Sequence, residues 1–341
     1  MTLIYFILVL TITVMVHEFG HFICAKKNGV YVYEFSIGMG PKLISKKKGE
    51  TDYSIRLLPI GGFVSMAGED MESEDDVPKD RQLCNKSMFV RFITMAAGVT
   101  FNILLALIIL FIIGLINGNP KNDTTISNIV DAYPIYETNV KVGDKITKID
   151  NVKVTSYEDI ALELTVKNGQ NIDMTVEHSD GNVETVKVKP MNKKNGYSYG
   201  FSLDNTKEKG VISAVKYSFT KTKNLIKQMY KILYYLITGR LSFDNLSGPI
   251  GIFTIVGDAA HSGFINVIYL IAYLCINVAV INILPFPAFD GGRILFLIIE
   301  KIKGSKVDSK FENTIHTVGF VLLMILMLYV SYNDIVRIFF K

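Results

Sequence analysis

The chain has 341 residues, of which 49% are hydrophobic and 20% are charged, and its formal net charge is +4. The small positive excess does not form a Lys/Arg stripe interleaved with aromatic residues, which argues against nucleic-acid binding. The totals alone would suit a soluble protein. However, the apolar residues collect in four long runs and the charged residues lie between them. This segregation predicts a membrane protein with several spans.

Each apolar run has roughly the 20 residues that a membrane-spanning helix needs. The predicted transmembrane helices are residues 1–24, 92–117, 264–284 and 314–336. The first run has neither a basic start nor a small-residue cleavage site, so we interpret it as a retained span and not as a signal peptide. Lysine and arginine collect in the loops 25–91 and 285–313. The positive-inside tendency therefore predicts that both loops are cytoplasmic and that both termini and residues 118–262 lie outside.

The loop 25–91 contains two short runs of alternating apolar and polar residues, Tyr31–Ile37 and Tyr53–Leu58. Gly- and Lys-rich turns separate them, which predicts β-hairpins. The acidic stretch Glu69–Asp80 that follows is predicted to be a solvated loop.

Residues 122–205 predict a small soluble α/β domain, because short β-rich runs flank a hairpin turn at Asp180-Gly181. Residues 211–240 predict an amphipathic helix rich in lysine and tyrosine. Such a helix is expected to lie on the outer membrane surface before the third span. A solvent-exposed linker helix is the alternative.

The most informative motif is HEFGH at residues 17–21, within the first apolar run. On a helix, His17 and His21 are one turn apart and share a face, so both imidazoles can bind one metal ion. Glu18 lies beside them and can act as a base toward water. Ionisable groups within hydrocarbon are costly unless they are paired or used, which favours a functional site over a simple helix end at the membrane interface.

A catalytic zinc site needs a third protein ligand and an open position for water. Asp290 is the best candidate, because it follows a helix break at Pro285 and Pro287 and precedes Gly291 and Gly292. Irregular backbone at membrane depth is tolerated where it is buried in protein or lines a wet cavity. The alternative for Asp290 is a simple N-cap of the next helix.

Three other histidines are weaker candidates for the third ligand. His178 and His261 are predicted to lie outside the membrane, on the wrong side. His316 begins the fourth span, where an isolated interfacial histidine is the simpler interpretation.

Taken together, these motifs resemble the site-2 protease family of intramembrane metalloproteases, in particular the bacterial regulator-of-sigma-E type with a PDZ domain. The resemblance covers nearly the whole chain. The motifs that carry it are HEFGH at 17–21, Gly61-Gly62-Phe63-Val64, Ala97-Gly98 with Asn102, Ser247–Gly251, and Asn282 with Asp290-Gly-Gly.

The resemblance implies that His17, His21 and Asp290 bind Zn2+ and that Glu18 is the general base. It implies that residues 31–66 are a membrane-associated β-hairpin region whose edge could pair with an extended substrate. The residues implied in substrate binding are Asn282, Gly61, Gly62 and Phe63.

The implied fold is a polytopic α-helical membrane protein with four transmembrane helices, the β-hairpin region and one extracytoplasmic PDZ domain at 122–205. The implied function is regulated intramembrane proteolysis in the cell membrane. The substrates would be single-span membrane proteins such as anti-sigma factors or signal-peptide remnants, trimmed first by an upstream site-1 type protease. A PDZ-containing membrane scaffold or chaperone with a non-catalytic metal site is the alternative, and a metal-ion transporter is a further one.

Overall fold

The computed structural model describes residues 1–70, 76–120, 123–193 and 196–340. The α-helices within these residues are α1 (Thr2–Lys27), α2 (Met88–Asn117), α3 (Tyr157–Lys167), α4 (Val211–Ile237), α5 (Pro249–His261), α6 (Phe264–Asn282), α7 (Asp290–Lys303) and α8 (Ser309–Phe340). The strands are β1 (Val32–Lys48), β2 (Thr51–Met66), β3 (Asn119–Pro120), β4 (Ile126–Ile129), β5 (Lys145–Ile149), β6 (Val152–Lys153), β7 (Ile172–Glu177), β8 (Val183–Val188), β9 (Met191–Lys193), β10 (Gly196–Ser198), β11 (Phe201–Leu203) and β12 (Lys207–Glu208).

Among the described residues, four helices are long and apolar enough to cross a membrane. They are Thr2–Lys27, Met88–Asn117, Phe264–Asn282 and Ser309–Ile338. The helices α1, α2 and α8 extend beyond the predicted spans past charged residues such as Lys26, Arg91 and Arg337, because a charge ends an apolar run without ending the helix. By contrast, α6 ends at Asn282, before the predicted boundary at 284, since Pro285 disfavours helical backbone in the residue before it.

The chain forms two compact units, Met1–Ile109 with Phe243–Lys341, and Leu110–Ser242. In the first unit, α1 contacts both strands of the hairpin region and the helices α5 and α6. Gly20 allows α1 to approach α2 closely, because a Cβ at this position would lie 2.5 Å from the carbonyl oxygen of Ala97. The face of α1 that carries His17 and His21 is therefore packed against other elements of its unit.

The strands β1 and β2 are long and bent, so that the first part of β1 pairs with two different stretches of β2. Phe35 of β1 lies between Val64 and Tyr53 of β2, so residues 32–37 are central in the antiparallel sheet. Residues 62–66 consequently form one edge of this sheet. The hydroxyl of Thr11 in α1 donates a hydrogen bond of 2.8 Å to the carbonyl oxygen of Pro59, which fixes this end of the sheet against α1.

In the second unit, strands β6, β5, β7 and β8 form an antiparallel sheet in that order. Its core contains buried Ile146, Ile172 and Met174. Helix α3 begins at an N-cap, because Ser156 accepts a hydrogen bond from the backbone N–H of Asp159. It ends at Asn168, which adopts the left-handed conformation common after helices.

Helix α4 packs on α3 in the same unit through ion pairs. The ammonium groups of Lys221, Lys227 and Lys231 lie 2.5, 2.7 and 2.8 Å from carboxylate oxygens of α3. Their partners are Glu158, Asp159 and Glu163. Several lysines of α4 are thus used within the unit, while apolar residues of the helix such as Ile212 and Phe219 are exposed. The predicted location of this helix on a membrane surface stays a prediction.

Candidate active site

Helix α1 presents His17 and His21 on one face, as the spacing of the HEFGH motif predicts. Both side chains are buried. Their Nε2 atoms are 3.1 Å apart. The two imidazole rings therefore point to one place in the interior of the first unit.

Asp290 reaches the same place from the start of α7. Its Oδ2 lies 3.1 Å from Nε2 of His17 and 3.3 Å from Nε2 of His21. The chain turns back on itself here, since a Cβ at Gly291 would lie 2.2 Å from the carbonyl oxygen of Leu284. Glycine at 291 is needed for this close approach, and it brings Asp290 to the imidazoles.

The tautomer of His21 follows from its second ring nitrogen. Nδ1 of His21 lies 2.8 Å from the carbonyl oxygen of Thr94, so Nδ1 carries the proton and donates it to this bond. Its Nε2 then presents a lone pair toward Nε2 of His17 and Oδ2 of Asp290. Oδ2 of Asp290 has no hydrogen-bond partner among the described residues. A cation held between Nε2 of His21, Nε2 of His17 and Oδ2 of Asp290 would satisfy all three atoms.

The three distances fit a single zinc ion. Two ligand atoms bound to tetrahedral zinc at about 2.0–2.1 Å are about 3.3 Å apart. The observed separations of 3.1, 3.1 and 3.3 Å match that value. Among the described residues, His17, His21 and Asp290 form the cluster of side chains that could hold a metal ion.

Glu18 lies next to this cluster, at a cavity of about 100 Å³ that the three candidate ligands also line. This volume is large enough for several water molecules. Oε2 of Glu18 accepts a hydrogen bond of 3.2 Å from the backbone N–H of Val64 in β2. The hydrogen bond fixes the carboxylate and joins the candidate base to the edge of the sheet.

The other predicted site residues lie close to the cluster. Nδ2 of Asn282, at the end of α6, is 3.4 Å from Nε2 of His17. Gly61, Gly62 and Phe63 are in β2, directly before Val64. A Cβ at Gly62 would lie 2.5 Å from the carbonyl oxygen of Ser36, so glycine is required by the sheet pairing.

The three alternative histidine ligands do not join the cluster. His178, in the second unit, lies 2.8 Å from a carboxylate oxygen of Asp144. Nδ1 of His261 lies 2.8 Å from the carbonyl oxygen of Gly257 in its own helix. Nδ1 of His316 accepts a hydrogen bond of 3.0 Å from the backbone N–H of Ala288.

Two residues on α2 support the imidazoles and were not assigned a role from the sequence. Thr94 provides the carbonyl oxygen that orients His21. Gly98 leaves space for the rings, since a Cβ there would lie 2.4 Å from Nε2 of His21 and 2.6 Å from Cε1 of His17. Gly98 belongs to a motif of the family resemblance, but its contact with the imidazoles depends on how two distant helices pack.

Glu69 is an exception to the predicted solvated acidic loop at Glu69–Asp80, in which Asp70, Asp76 and Asp80 are exposed. Residues 71–75 of this stretch lie outside the described residues. Glu69 lines the same cavity as the metal cluster. Its carboxylate lies 3.8 Å from the guanidinium of Arg293, and its backbone carbonyl accepts a hydrogen bond from the same group. Burial raises the pKa of Glu69 above its ordinary value. The prediction from local charge was wrong for Glu69, because its partner Arg293 is more than 200 residues away in the sequence.

A pair of imidazoles, a carboxylate and an adjacent glutamate line a cavity large enough for water, among helices long enough to span a membrane. This arrangement defines a candidate metallohydrolase site. The sequence model of peptidase family M50 matches residues 5–326, and the chain belongs to this family. The resemblance to site-2 proteases is thereby confirmed, and the chain is a metallopeptidase of this family.

Two relatives match the chain over nearly its whole length. A protein of Clostridium perfringens, provisionally named a zinc metalloprotease, is 36% identical over 338 residues, with 98% of this chain and 99% of the relative covered. The regulator of sigma-W protease RasP of Bacillus subtilis is 33% identical, with 99% of each chain covered. Zinc is thus named in one of these relatives and proteolysis in both.

A comparison with solved structures found a PDZ domain of an SdrC-like protein from Listeria monocytogenes. It covers 24% of this chain and 87% of its own, at 21% identity and a TM-score of 0.22. A score this low does not support a fold assignment, so the PDZ domain stays a prediction.

Proposed function

We propose that the chain is an intramembrane zinc metalloprotease that cleaves transmembrane segments of single-span membrane proteins. The observation that carries the proposal is the convergence of His17, His21 and Asp290 at separations suited to one zinc ion. These residues lie on or next to helices of membrane-spanning length. Membership of peptidase family M50 supports the same chemistry.

His17, His21 and Asp290 would hold the zinc ion and leave a coordination position open toward the cavity. A bound zinc ion supplies a Lewis acid that lowers the pKa of water and polarises a peptide carbonyl. The carboxylate of Glu18 would take the proton from the attacking water and deliver it to the leaving amine. Its hydrogen bond with the backbone N–H of Val64 holds it at the cavity for this task.

The edge of the hairpin region would bind the substrate. Residues 62–66 form an outer edge of the sheet, and Val64 within this edge contacts Glu18. A substrate segment that is unwound into an extended strand could pair with this edge through backbone hydrogen bonds. The substrate-binding edge would include Gly61, Gly62 and Phe63, which directly precede Val64 at the cavity. Asn282, at the end of α6, would hold the substrate from the other side.

The sidedness of the protein and the role of its second unit belong to the same proposal. The loops 25–91 and 285–313 would face the cytoplasm, and residues 122–205 would form an extracytoplasmic PDZ domain that gates access by substrate size. The name of the RasP relative refers to regulation of a sigma factor. We therefore propose anti-sigma factors and signal-peptide remnants as substrates, after a first cut by a site-1 type protease.

The test uses the full chain in proteoliposomes with a single-span model substrate. Wild type and Glu18→Gln are compared for zinc content and cleavage. The proposal predicts that Glu18→Gln keeps one zinc per chain and loses cleavage by at least about 100-fold, which is the contribution typical of a general base. Cleavage by Glu18→Gln at the wild-type rate would overturn it, and a scaffold would show no cleavage by either protein.

A further inference from the structure

The segment between α6 and α7 carries Asp290 and adopts a backbone that is unfavourable for its sequence. Ala288 has φ +76°, in the left-handed region. Among the described non-glycine residues only Asp150 and Asn168 share a positive φ, and these are residue types that tolerate it. An alanine in this conformation persists only where its surroundings hold it.

His316 of α8 stabilises this conformation of Ala288 through a hydrogen bond. Its Nδ1 accepts a hydrogen bond of 3.0 Å from the backbone N–H of Ala288. The neighbours Pro285 and Pro287 have no N–H, so they cannot donate to a similar bond. The proton of the neutral His316 ring is therefore on Nε2, and Nδ1 is the acceptor.

The packing around His316 fixes the ring and the segment together. Gly319, one turn further along α8, leaves room for Pro287, because a Cβ there would lie 2.4 Å from the Cβ of Pro287. A Cβ at Gly292 would lie 3.2 Å from Cε1 of His316. The ring of Phe296 packs against the imidazole with 5.7 Å between ring centroids. One face of α8 thus packs against the turn that precedes Asp290 and hydrogen-bonds to it.

We propose that His316 is a positioning residue that holds Ala288 in the left-handed conformation and thereby aims the carboxylate of Asp290 at His17 and His21. The inference rests on the proposed metal site. Ala288 is two residues from Asp290, so relaxation of its φ would turn the carboxylate away from the imidazoles. His316 itself does not contact the candidate ligands His17, His21 and Asp290, and its effect passes through the backbone.

The test measures Zn2+ affinity of the purified full chain by competition with a chelator, and the absorption spectrum of the Co2+-substituted protein. His316→Leu and His316→Gln remove the acceptor at the Nδ1 position, whereas His316→Asn can place an amide oxygen there. We expect the first two variants to bind Zn2+ about 10- to 100-fold more weakly, as for loss of an outer-shell partner. His316→Asn should stay close to wild type in affinity and spectrum.

A second substitution separates positioning from general packing. Glycine adopts a positive φ without help, so Ala288→Gly added to His316→Leu should recover about tenfold in affinity. His261→Leu is the matched control, because the side chain of His261 hydrogen-bonds to Gly257 of its own helix, away from Ala288 and Asp290, and it should bind Zn2+ as wild type does. If His316→Leu does not fold, His316→Gln provides the same comparison with a polar side chain.

Three results would overturn the inference. They are wild-type affinity in both His316→Leu and His316→Gln, equal losses in His316→Asn and His316→Leu, and no recovery on addition of Ala288→Gly. Failure of the metal site itself would appear differently, as absence of Zn2+ binding by the wild-type chain.

Discussion

A substitution at Gly98 would perturb the candidate metal centre without removing a ligand, because Gly98 packs against both imidazoles. In Gly98→Ala the added Cβ would lie 2.4 Å from Nε2 of His21 and 2.6 Å from Cε1 of His17. Carbon atoms in contact prefer about 3.5–4.0 Å, so the rings must move by about 1 Å. Metal ligation tolerates about 0.2 Å.

We expect Gly98→Ala to affect cleavage and Zn2+ binding more than the stability of the fold. A displacement of about 1 Å at an active site can reduce the rate about 100-fold, and we expect a loss of this size in cleavage together with weaker Zn2+ binding. Overpacking costs about 1–3 kcal/mol of stability, and the higher helix propensity of alanine offsets about 1 kcal/mol of it. In the metal-free protein, the unfolding temperature of Gly98→Ala should therefore stay close to that of wild type, and any further loss with metal present should reflect the weaker Zn2+ binding.

The assay compares zinc affinity, cleavage and thermal unfolding of wild type, Gly98→Ala and Gly257→Ala in the same detergent. Gly257 is also a helical glycine, but a Cβ there would meet only the side chain of Thr2, at 3.2 Å. Gly257→Ala should keep zinc affinity and cleavage. If Gly98→Ala also kept both at the wild-type level, the close packing of α2 on the imidazoles would be refuted.

Removal of the metal with a chelator should abolish cleavage and lower the unfolding temperature, and added Zn2+ should restore both, since a ligand of the folded state stabilises it; full activity in metal-depleted protein would contradict this. Burial alone would raise the pKa values of Glu158 and Asp159, but their ion pairs with lysines of α4 outweigh it and lower both. Their stabilising effect is therefore complete at neutral pH and is lost as the pH falls below about 4. The difference in unfolding temperature between wild type and Glu158→Gln/Asp159→Asn should shrink in that range, and a difference that shrinks already above pH 6 would contradict the pairing. Gly62→Ala places a Cβ 2.5 Å from the carbonyl oxygen of Ser36, so it should disturb the sheet edge and reduce cleavage with zinc content unchanged; loss of zinc would show that this edge instead supports the metal.

The parts of the site that could be predicted from the sequence are those set by local geometry. His17 and His21 share a helix face at a spacing of four residues, and Asp290 follows a helix break that two prolines impose. The long apolar runs likewise predict helices without knowledge of their neighbours.

What could not be predicted depends on contacts between distant segments. Thr94 and Gly98 gain their roles only because α1 and α2 pack closely. The sequence places Glu69 in an acidic stretch, whereas the fold brings it beside Arg293 and the cavity. The lysine-rich pattern of α4 shows an amphipathic helix, but it contains no information about the carboxylates of α3 that neutralise it.

Zinc K-edge X-ray absorption of the purified full chain, combined with metal analysis, shows directly whether two imidazoles and a carboxylate bind one zinc ion. We expect one zinc per chain, with a shell of two imidazoles and oxygen ligands at about 2.0–2.1 Å. In Asp290→Ala, zinc should be lost or should lose an oxygen ligand. Absence of zinc from the wild type, or a zinc shell without histidine, would contradict the claim that His17, His21 and Asp290 meet at one metal ion.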